Sequence, residues 1–328
     1  MTILVTGAAG FIGYHLATAI LKSGRDVVGI DNLNEYYDPA LKHARLDRLR
    51  RDKRFTFHRL DLADSEGVLR LAESAPRPEI IVHLAAQAGV RHSLTHPFSY
   101  VDANLTGHLS MLELARRLPD LHHFVYASSS SVYGGNKKVP YAVGDRVDHP
   151  VSLYAATKRA DELMSETYAH LYGIKATGLR FFTVYGPWGR PDMAAYIFTK
   201  AIFEGTPIQV FNFGKMRRDF TYVDDAVAGT LAAAAAPPNG DGDAAPHRIY
   251  NLGNHRSEDL EHFIELLEQA CGRKAIKEYL PLQPGDVEQT YADITSAQAD
   301  LGFEPRMTIE EGLPRFVSWF RDYHGYDG

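Results

Sequence analysis

Three tyrosines in this chain are each followed, four residues later, by a lysine. On a helix, residues at this spacing share one face. A nearby ammonium favours the phenolate form of tyrosine, so such a pair can move a proton to and from an alcohol. The three pairs are Tyr133/Lys137, Tyr154/Lys158 and Tyr196/Lys200. The spacing alone therefore does not identify a catalytic pair.

The surroundings of Tyr154 favour that residue. It opens the run Tyr154–Ala160, which favours a helix. Four serines, Ser128–Ser131, lie about 25 residues upstream at the predicted end of a strand, where ligands bind in open α/β sheets. Glycines directly follow Tyr133. No serine accompanies Tyr196, which we interpret as a packing residue. We predict Tyr154 as the catalytic base and Lys158 as the ammonium that favours its phenolate and binds the cofactor's ribose.

A glycine-rich turn follows the first predicted strand, in the run Gly7-Ala8-Ala9-Gly10-Phe11-Ile12-Gly13. Glycine permits positive φ and a close approach of backbone N–H groups to a pyrophosphate. The following helix directs its positive N-terminal end at the same phosphates. The alternative is a tight turn without a ligand. We predict cofactor contacts at Gly7, Gly10, Phe11, Ile12 and Gly13.

Asp31 ends the second predicted strand, 18 residues after Gly13. A carboxylate at this place can accept hydrogen bonds from both ribose hydroxyls and would repel a 2′-phosphate. The next residue is Asn32 rather than lysine or arginine. We therefore predict that Asp31 and Asn32 bind NAD and not NADP. The alternative interpretation of Asp31 is a solvated side chain.

Alternating strands and helices must position these residues. The predicted strands are Ile3–Thr6, Val27–Asp31, Phe55–Leu62, Ile80–Ala85 and Phe124–Ser128. The predicted helices between them are Ile12–Ser23, Pro39–Arg51, Ser65–Glu73 and Leu105–Leu118. This alternation predicts βαβ units, hence an α/β fold with a Rossmann-type doubly wound parallel sheet and a smaller C-terminal α/β substrate-binding domain.

The alternation loosens after about Gly186, so we place the NAD-binding domain at 1–186 and the second domain mainly at 187–328, with the chain free to cross back. Polar, Pro- and Gly-rich residues predict a surface loop over Pro237–Asp243. Ser257 is the predicted N-cap of a helix that Gly272 ends. A last amphipathic helix is predicted from about Thr308 to Tyr323.

Composition excludes several classes of protein. The 328 residues are 45% apolar with a net charge of −6, which argues against disorder, and they contain no basic stripe for nucleic acid. Cys271 is the only cysteine, so an internal disulfide and a four-cysteine zinc site are impossible. The histidines lack metal-ligand spacing, and we predict no metal. The first residues do not resemble a secretory signal and no apolar run could span a membrane, so we expect a cytoplasmic protein.

The glycine spacing resembles that of the extended short-chain dehydrogenase/reductase superfamily, as do Asp61-Leu62 and Leu84-Ala85-Ala86 after the third and fourth predicted strands. The resemblance implies that the first pair flanks the adenine. It also implies that the second run contributes cofactor contacts, with Ala85, Ala86 and Asn104 lining the nicotinamide half. From the residues alone, Asp61 is a strand-end carboxylate and Asn104 a helix cap.

The same resemblance implies roles for the serines beside the predicted catalytic pair. Ser129 is implied to be the catalytic serine, and Ser131 to hold a second catalytic hydroxyl in the pocket. Ser129 and Ser130 are implied to contact the substrate. From the residues alone, this run is a strand end or turn.

Three further segments resemble nucleotide-sugar enzymes: Arg180–Pro187, Lys215–Asp225 and Pro284–Val287. They imply substrate contacts at Thr183, at Arg218 with a diphosphate, and at Asp286 with a uridine ribose. A guanidinium fork matches phosphate oxygens, which favours Arg218 for the diphosphate. The alternatives are solvated surface arginines and a Gly-Asp turn.

Asn34–Pro39, Tyr185–Met193 and Gln283–Val287 resemble the corresponding segments of UDP-glucuronate 4-epimerases. The resemblance implies NAD-dependent inversion of C4 of UDP-glucuronate to UDP-galacturonate through a 4-keto sugar. Arg190 is our candidate to hold the C6 carboxylate; the alternative is a surface arginine.

Related activities remain alternatives. Ser131 stands where UDP-glucuronate decarboxylases place a glutamate, and the Asp-Glu pair of the 4,6-dehydratases is absent from the serine run. UDP-glucose/galactose 4-epimerase and UDP-glucuronate decarboxylase are the enzymatic alternatives, and an NAD-binding sensor or scaffold is the non-enzymatic one. The resemblance also implies a homodimer that packs through helices near Leu105–Leu118 and Tyr154–Tyr172.

Overall fold

The computed structural model describes residues 1–73, 76–240, 244–283 and 285–326. Within these ranges the strands are β1 (Thr2–Thr6), β2 (Asp26–Asp31), β3 (Phe55–Arg59), β4 (Ile80–His83), β5 (His123–Ser129), β6 (Ala176–Phe181), β7 (Thr183–Tyr185), β8 (Pro207–Val210), β9 (Arg217–Arg218), β10 (Phe220–Tyr222), β11 (His247–Leu252), β12 (Glu258–Asp259) and β13 (Ile276–Tyr279). Seven of them form one parallel sheet, in the order β11-β6-β5-β4-β1-β2-β3.

The α-helices of the same ranges are α1 (Phe11–Lys22), α2 (Pro39–Leu49), α3 (Ser65–Arg70), α4 (His92–Thr95), α5 (Pro97–Tyr100), α6 (Gly107–Arg116), α7 (Leu153–Tyr172), α8 (Ala194–Glu204), α9 (Val223–Ala235), α10 (Leu260–Cys271), α11 (Thr295–Leu301) and α12 (Ile309–His324). A π-helical turn, Val101–Thr106, leads into α6. None of these helices is long and apolar enough to cross a membrane.

The sheet confirms the predicted fold class and explains where a ligand can bind. Strand β1 pairs in parallel with β2 on one side and with β4 on the other. The chain thus proceeds outward in both directions from β1, which leaves a crevice at the carboxyl ends of these strands. The glycine-rich turn leaves the sheet at this crevice, between β1 and α1.

Two predicted strands end earlier in the structure. Strand β3 ends at Arg59 rather than Leu62, because a carboxylate oxygen of Asp61 accepts a hydrogen bond from the Ala63 N–H and turns the chain. Strand β4 ends at His83 rather than Ala85. Its following N–H groups, of Leu84 and Ala85, donate to Thr6 Oγ1 instead of to a neighbouring strand, at distances of 3.1 and 3.0 Å.

Ser257 does not cap a helix, contrary to the prediction. Helix α10 begins at Leu260, directly after β12, which pairs antiparallel with β9. The hydroxyl of Ser257 instead donates to the Thr290 carbonyl at 3.1 Å and accepts from Gln289 Nε2 at 3.1 Å. Gly272 ends α10 in the left-handed conformation, as predicted. The last helix also agrees with its prediction to within a residue. In the predicted loop after α9, residues 241–243 lie outside the described residues.

The chain crosses back to the sheet after residue 186. Strand β11 pairs in parallel with β6 at the sheet edge, and α9 packs against α1. One hydrophobic cluster joins this face of the sheet, including Leu179 and Leu252, to the C-terminal helices through Phe263 and Phe316. The opposite face has its own cluster around Phe124. The C-terminal part therefore shares its core with one face of the sheet.

Candidate active site

A cavity of about 440 Å³ opens at the crevice where β1 lies between β2 and β4. This volume is within the range of small-molecule sites. Residues of the glycine-rich turn line it, and so do Arg218 and Asp286 from the C-terminal part of the chain. Both halves of the molecule therefore contribute to one site.

The glycines of the turn are required by close approaches of backbone to backbone. Gly7 has φ +69°, and a Cβ on it would lie 3.0 Å from the Ala85 nitrogen. A Cβ on Gly13 would lie only 2.0 Å from the Gly7 carbonyl oxygen. A side chain at either position would thus force the backbone of the turn to move. Gly10, Phe11 and Ile12 also line the cavity.

Asp31 lies at the carboxyl end of β2 and lines the cavity. Its two carboxylate oxygens accept hydrogen bonds from the Leu33 and Ala9 N–H groups at 2.8 and 3.1 Å. Burial raises the pKa of this carboxyl, and the two N–H groups oppose the shift. The side chain of Asn32 donates to Asp61 at 3.0 Å, so these predicted cofactor residues are held together.

Tyr154 and Lys158 lie in the first two turns of α7, and both line the cavity. Ser152 caps this helix by accepting a hydrogen bond from the Ala155 N–H at 3.1 Å. The Lys158 ammonium donates to the Ala127 carbonyl at 2.9 Å and to Asp161 at 3.0 Å. Two of its three N–H bonds thus have acceptors among the described residues, and the third can bind a ligand.

Three residues of the serine run line the cavity, and the first, Ser128, points into the protein interior. Ser129, Ser130 and Ser131 line the cavity, and the Ser129 hydroxyl donates to that of Ser131 at 3.1 Å. Ser128 turns away and donates to Glu162 at 2.6 Å. The strand β5 ends here, and its alternation of faces separates the two directions.

Neither of the other Tyr/Lys pairs lines the cavity. Tyr133 is buried, where its hydroxyl donates to Asn251 at 2.7 Å and accepts from Arg180 at 3.0 Å. Tyr196 shares a hydrogen bond of 2.6 Å with His324 of the last helix. Tyr196 and Lys200 share helix α8, so it is their place away from the cavity and the serines, rather than helix formation, that separates them from Tyr154 and Lys158.

Asn104 does not line the cavity, contrary to the contact implied for it. It is buried in the π-helical turn, where its carbonyl accepts from the Gln87 N–H at 2.8 Å. Its amide donates to the Gln87 carbonyl at 3.1 Å and to the Thr157 hydroxyl at 2.9 Å. These three bonds use its side chain to join the segment after β4 to α7. Asn104 therefore acts behind the cavity wall. The other predicted cofactor residues line the cavity: Leu62, Leu84, Ala85 and Ala86.

The predicted substrate contacts Thr183, Arg190, Arg218 and Asp286 all line the cavity. The Arg218 guanidinium donates to the carbonyls of Val287 and Glu288 at 2.6 and 3.1 Å, and burial lowers its pKa. Asp286 forms an ion pair of 2.7 Å with Arg91. Pro284 of the same motif lies outside the described residues.

Arg190 is held by an acid that the sequence reasoning did not single out. Its Nε and Nη2 atoms donate to the two carboxylate oxygens of Asp192 at 2.9 and 2.6 Å. Tyr36, from the loop after β2, donates to the same carboxylate at 3.0 Å. Tyr36 and Asp192 both lie in motifs identified from the sequence. Their contact joins residues 156 positions apart, so no local sequence pattern predicts it.

Two further residues beside the predicted catalytic pair, Tyr154 and Lys158, were missed. Asp161 is fully buried against Lys158, and burial raises the pKa of its carboxyl to about 6 although the ammonium opposes the shift. Tyr100 lies edge-on to the Tyr154 ring at 6.0 Å between centroids, and its hydroxyl donates to the carbonyls of Ala88 and Gly89. The only available signal was the position of Asp161 three residues after the lysine, on the same helix face.

The cavity residues fit NAD. The glycine-rich turn borders the cavity with backbone, since a Cβ at Gly7 or Gly13 would clash with neighbouring backbone atoms, and the carboxylate of Asp31 borders the same cavity, where it can accept from ribose hydroxyls. In addition, the buried Nε2 of Gln87, a cavity-lining residue, has no hydrogen-bond partner among the residues that the structure describes. In the described part of the chain, no three His, Cys, Asp or Glu side chains form a group that could hold a metal ion.

Residues 3–253 match the NAD dependent epimerase/dehydratase family. The chain is 46% identical over 332 residues to a probable UDP-glucuronate 4-epimerase of Rhizobium meliloti (strain 1021), with 98% of this chain and 97% of that protein covered. It is similar, with a TM-score of 0.89 and 35% identity, to a crystal structure of UDP-glucuronic acid 4-epimerase from Bacillus cereus in complex with UDP-glucuronic acid and NAD, which covers 98% of this chain and 100% of that one. A crystal structure of UDP-glucose 4-epimerase from Thermotoga maritima with UDP-glucose has a TM-score of 0.87 and 33% identity, and covers 99% of this chain and 100% of that one.

Proposed function

The chain belongs to the NAD dependent epimerase/dehydratase family, and we propose that it inverts C4 of UDP-glucuronate to give UDP-galacturonate. The observation that carries the proposal is one cavity lined by Tyr154, Lys158, Ser129 and Arg190. The first three supply proton transfer at an alcohol, and the fourth supplies a cation for a sugar carboxylate. The enzyme is thus an NAD-dependent isomerase.

NAD held by the glycine-rich turn and Asp31 would supply a hydride acceptor for C4 and would then serve as the donor for the opposite face of the sugar. Tyr154 takes the proton of the C4 hydroxyl and gives it back after the 4-keto sugar has turned in the cavity. Lys158 favours the phenolate, and its remaining N–H bond would donate to the ribose of the cofactor. Ser129 and Ser131 share a hydrogen bond and together orient the reacting hydroxyl.

The 4-keto form of glucuronate is a β-keto acid, which loses CO₂ when its C5–C6 bond aligns with the carbonyl π system. An epimerase must hold that bond out of alignment. Arg190 is our candidate to bind the C6 carboxylate for this purpose. The serine at position 131 supports the proposal, since no acid at that place is available to assist decarboxylation. Arg218 and Asp286 bind the diphosphate and the uridine ribose.

A UDP-glucose/galactose 4-epimerase is the second candidate. Its support is the similarity to the Thermotoga maritima structure, at a TM-score only 0.02 below that of the first structure (0.89 − 0.87). The two candidates differ in whether Arg190 has a carboxylate to bind. The remaining alternatives are a UDP-glucuronate decarboxylase and a non-catalytic NAD-binding protein, and product analysis separates them from both epimerases.

Assembly, location and domain division are parts of the same proposal. Exposed apolar side chains on α5, α6 and α7 support a homodimer: Phe98, Leu109, Leu163 and Leu171. The single cysteine supports a reducing, cytoplasmic location. We retain 1–186 as the NAD-binding domain and 187–328 as mainly the nucleotide-sugar-binding domain, with α9 and β11 returning to the sheet.

The test is to incubate the purified protein with UDP-glucuronate or UDP-glucose, without added NAD, and to resolve the products by NMR. We expect UDP-galacturonate from UDP-glucuronate, and the reverse reaction from UDP-galacturonate. UDP-galactose alone would favour the second candidate, and a UDP-pentose the decarboxylase. Absence of turnover, with no NAD released on denaturation, would reject an enzyme.

A further inference from the structure

We propose that Asp192 and Tyr36 are positioning residues that fix the guanidinium of Arg190, and that they thereby select a UDP-sugar with a C6 carboxylate and protect that carboxylate from loss. This inference rests on the proposed function. It goes beyond it by naming two residues that act through Arg190 without reacting themselves.

The hydrogen bonds of Arg190 leave one side of its guanidinium for a ligand. Asp192 accepts from Nε at 2.9 Å and from Nη2 at 2.6 Å, which occupies the side-on pair of N–H bonds. The end-on pair, one N–H on each Nη atom, has only a weak acceptor in the described residues, the Met193 sulfur at 3.7 Å from Nη2. A substrate carboxylate can accept from this pair in the two-bond geometry that arginine favours.

Asp192 is itself held from a second direction. The Tyr36 hydroxyl donates to Asp192 Oδ2 at 3.0 Å, so this oxygen accepts from two donors. Burial works against ionisation of Asp192, but the neighbouring Arg190 outweighs it and lowers the pKa of the carboxyl. The carboxylate therefore remains ionised at neutral pH. Its charge balances that of Arg190, so the guanidinium can release and rebind a carboxylate as the sugar turns.

The place of Tyr36 is built into the fold. It lies in the loop that follows Asp31, and Lys42 ties this loop by donating to the Asn34 carbonyl at 2.6 Å. Gly89 faces the Tyr36 hydroxyl with φ +102°, and a Cβ on it would lie 2.7 Å from that oxygen. A glycine at this position therefore makes room for the phenol. The carboxylate site is thereby joined to the loop beside the cofactor's ribose.

The test uses two substitutions that keep the charge of the site. Asp192→Glu moves the carboxylate by one methylene group, and Tyr36→Phe removes one hydroxyl. With UDP-glucuronate as substrate, NMR measures UDP-galacturonate and the products of decarboxylation, UDP-4-keto-pentose and CO₂. These products form when the C5–C6 bond of the 4-keto sugar breaks, its electron pair enters the enolate and C5 is protonated, while the hydride taken from C4 stays on NADH. We expect the ratio of decarboxylation to epimerisation to rise about tenfold for Asp192→Glu and about threefold for Tyr36→Phe.

A binding measurement accompanies the turnover. The affinity for UDP-glucuronate relative to UDP, which lacks the sugar, should fall by the same factors. In an Arg190→Ala background, neither substitution should change the ratio or the relative affinity further, because both act through the guanidinium. A merely structural role would lower the melting temperature and total turnover while leaving both quantities unchanged.

The chain offers matched controls away from the cavity. Asp52 accepts from Arg54 Nε at 3.0 Å and Nη2 at 2.6 Å, the same side-on geometry across the same spacing of two residues. Tyr250 donates to Asp300 at 3.0 Å, the bond that Tyr36 makes to Asp192. Asp52→Glu and Tyr250→Phe should leave the ratio and the relative affinity unchanged.

The outcomes separate this inference from the proposed function. If the unsubstituted protein does not convert UDP-glucuronate but the relative affinity falls in both variants, the proposed reaction is wrong and the positioning role is supported. If the ratio and the relative affinity of both variants equal those of the unsubstituted protein, the positioning role is wrong. Should Asp192→Glu fail to fold, Tyr36→Phe decides by the same two measurements.

Discussion

The ammonium of Lys158 lies 3.0 Å from a carboxylate oxygen of Asp161, and both side chains are almost completely buried. The two residues are three positions apart on α7, so the helix itself sets their contact. Together with the bond to the Ala127 carbonyl, this ion pair leaves one N–H bond of Lys158 for a ligand. The acid thus compensates the buried charge that the proposed chemistry requires.

Removal of this acid should destabilise the protein. Asp161→Ala leaves the Lys158 ammonium buried without its counter-ion, and we expect the free energy of unfolding to fall by about 3 kcal/mol. Urea denaturation measures this change. The control is Glu166→Ala on the exposed face of the same helix, which should change stability by less than about 0.5 kcal/mol. Equal effects of the two substitutions would contradict the prediction.

Proton transfer by Tyr154 predicts a specific loss of activity. Tyr154→Phe should lower kcat for epimerisation by about 10²- to 10⁴-fold, the usual contribution of a general acid–base group. The NAD released on denaturation and the melting temperature should be unchanged. Tyr196→Phe is the matched control, because Tyr196 has the same spacing to a lysine but lies against His324. Substantial activity in Tyr154→Phe would reject this residue as the base.

Asp31 should decide the choice of dinucleotide. Asp31→Ala removes the proposed acceptor of the ribose hydroxyls, and we expect about a tenfold to hundredfold loss of NAD affinity, the worth of a hydrogen bond to a charged group. Discrimination against NADP should be lost together with the carboxylate. Fluorescence titration with both dinucleotides measures this. The control is Asp26→Ala, at the exposed first residue of β2, which should leave both affinities unchanged. An unaltered NAD affinity in Asp31→Ala would contradict the assignment of Asp31.

Acid should destabilise the fold through His123. Burial lowers the pKa of this histidine to about 4, and its ring bonds Thr177 Oγ1 at 2.8 Å. Between pH 6.5 and 4 the unfolded chain therefore binds a proton that the folded protein does not, so stability falls as the pH is lowered. From pH 6.5 to 5 this amounts to about 2 kcal/mol. Urea denaturation at pH 7 and pH 5 tests this. Between these two pH values, the free energy of unfolding of His123→Gln should fall by about 2 kcal/mol less than that of the unsubstituted protein. An equal fall in both proteins would contradict the prediction.

The proposed homodimer predicts a change of mass on substitution at its interface. Leu163 is 48% exposed on α7, and Leu163→Glu places a charge where two copies would meet. By sedimentation equilibrium we expect a dimer for the unsubstituted chain and a monomer for Leu163→Glu. Ile197→Glu is the control, since Ile197 is 46% exposed on α8. A dimer that survives Leu163→Glu would place the interface elsewhere.

Local patterns in the sequence were sufficient for the fold class and for much of the site. The glycine-rich turn, the acid at the end of β2 and the pair Tyr154/Lys158 are each specified by neighbours within a few residues. Strand and helix periodicities arise from backbone geometry, and the carboxyl ends of parallel strands meet at one edge. These rules predicted that such residues would line a common crevice, and the structure places them there.

Contacts between distant segments could not be predicted in this way. Asn104 was expected in the cavity, but packing of the π-helical turn against α7 buries it behind the wall. Ser257 was expected to cap a helix, but pairing of β12 with β9 moves the helix start. The contact of Asn104 was implied by the family resemblance and the cap at Ser257 by a local preference. In both cases tertiary partners decide the position, because polar groups removed from water must find hydrogen bonds within the fold.

The sequence by itself therefore determined the parallel sheet, the cofactor turn and the residues that can transfer a proton, since each depends on short-range geometry. Only the tertiary structure decided how Arg190 is held. Tyr36 and Asp192 are 156 residues apart, and they meet because the loop after β2 and the segment before α8 border the same cavity. Hydrogen bonds across such a distance depend on the packing of whole elements, which no local pattern encodes.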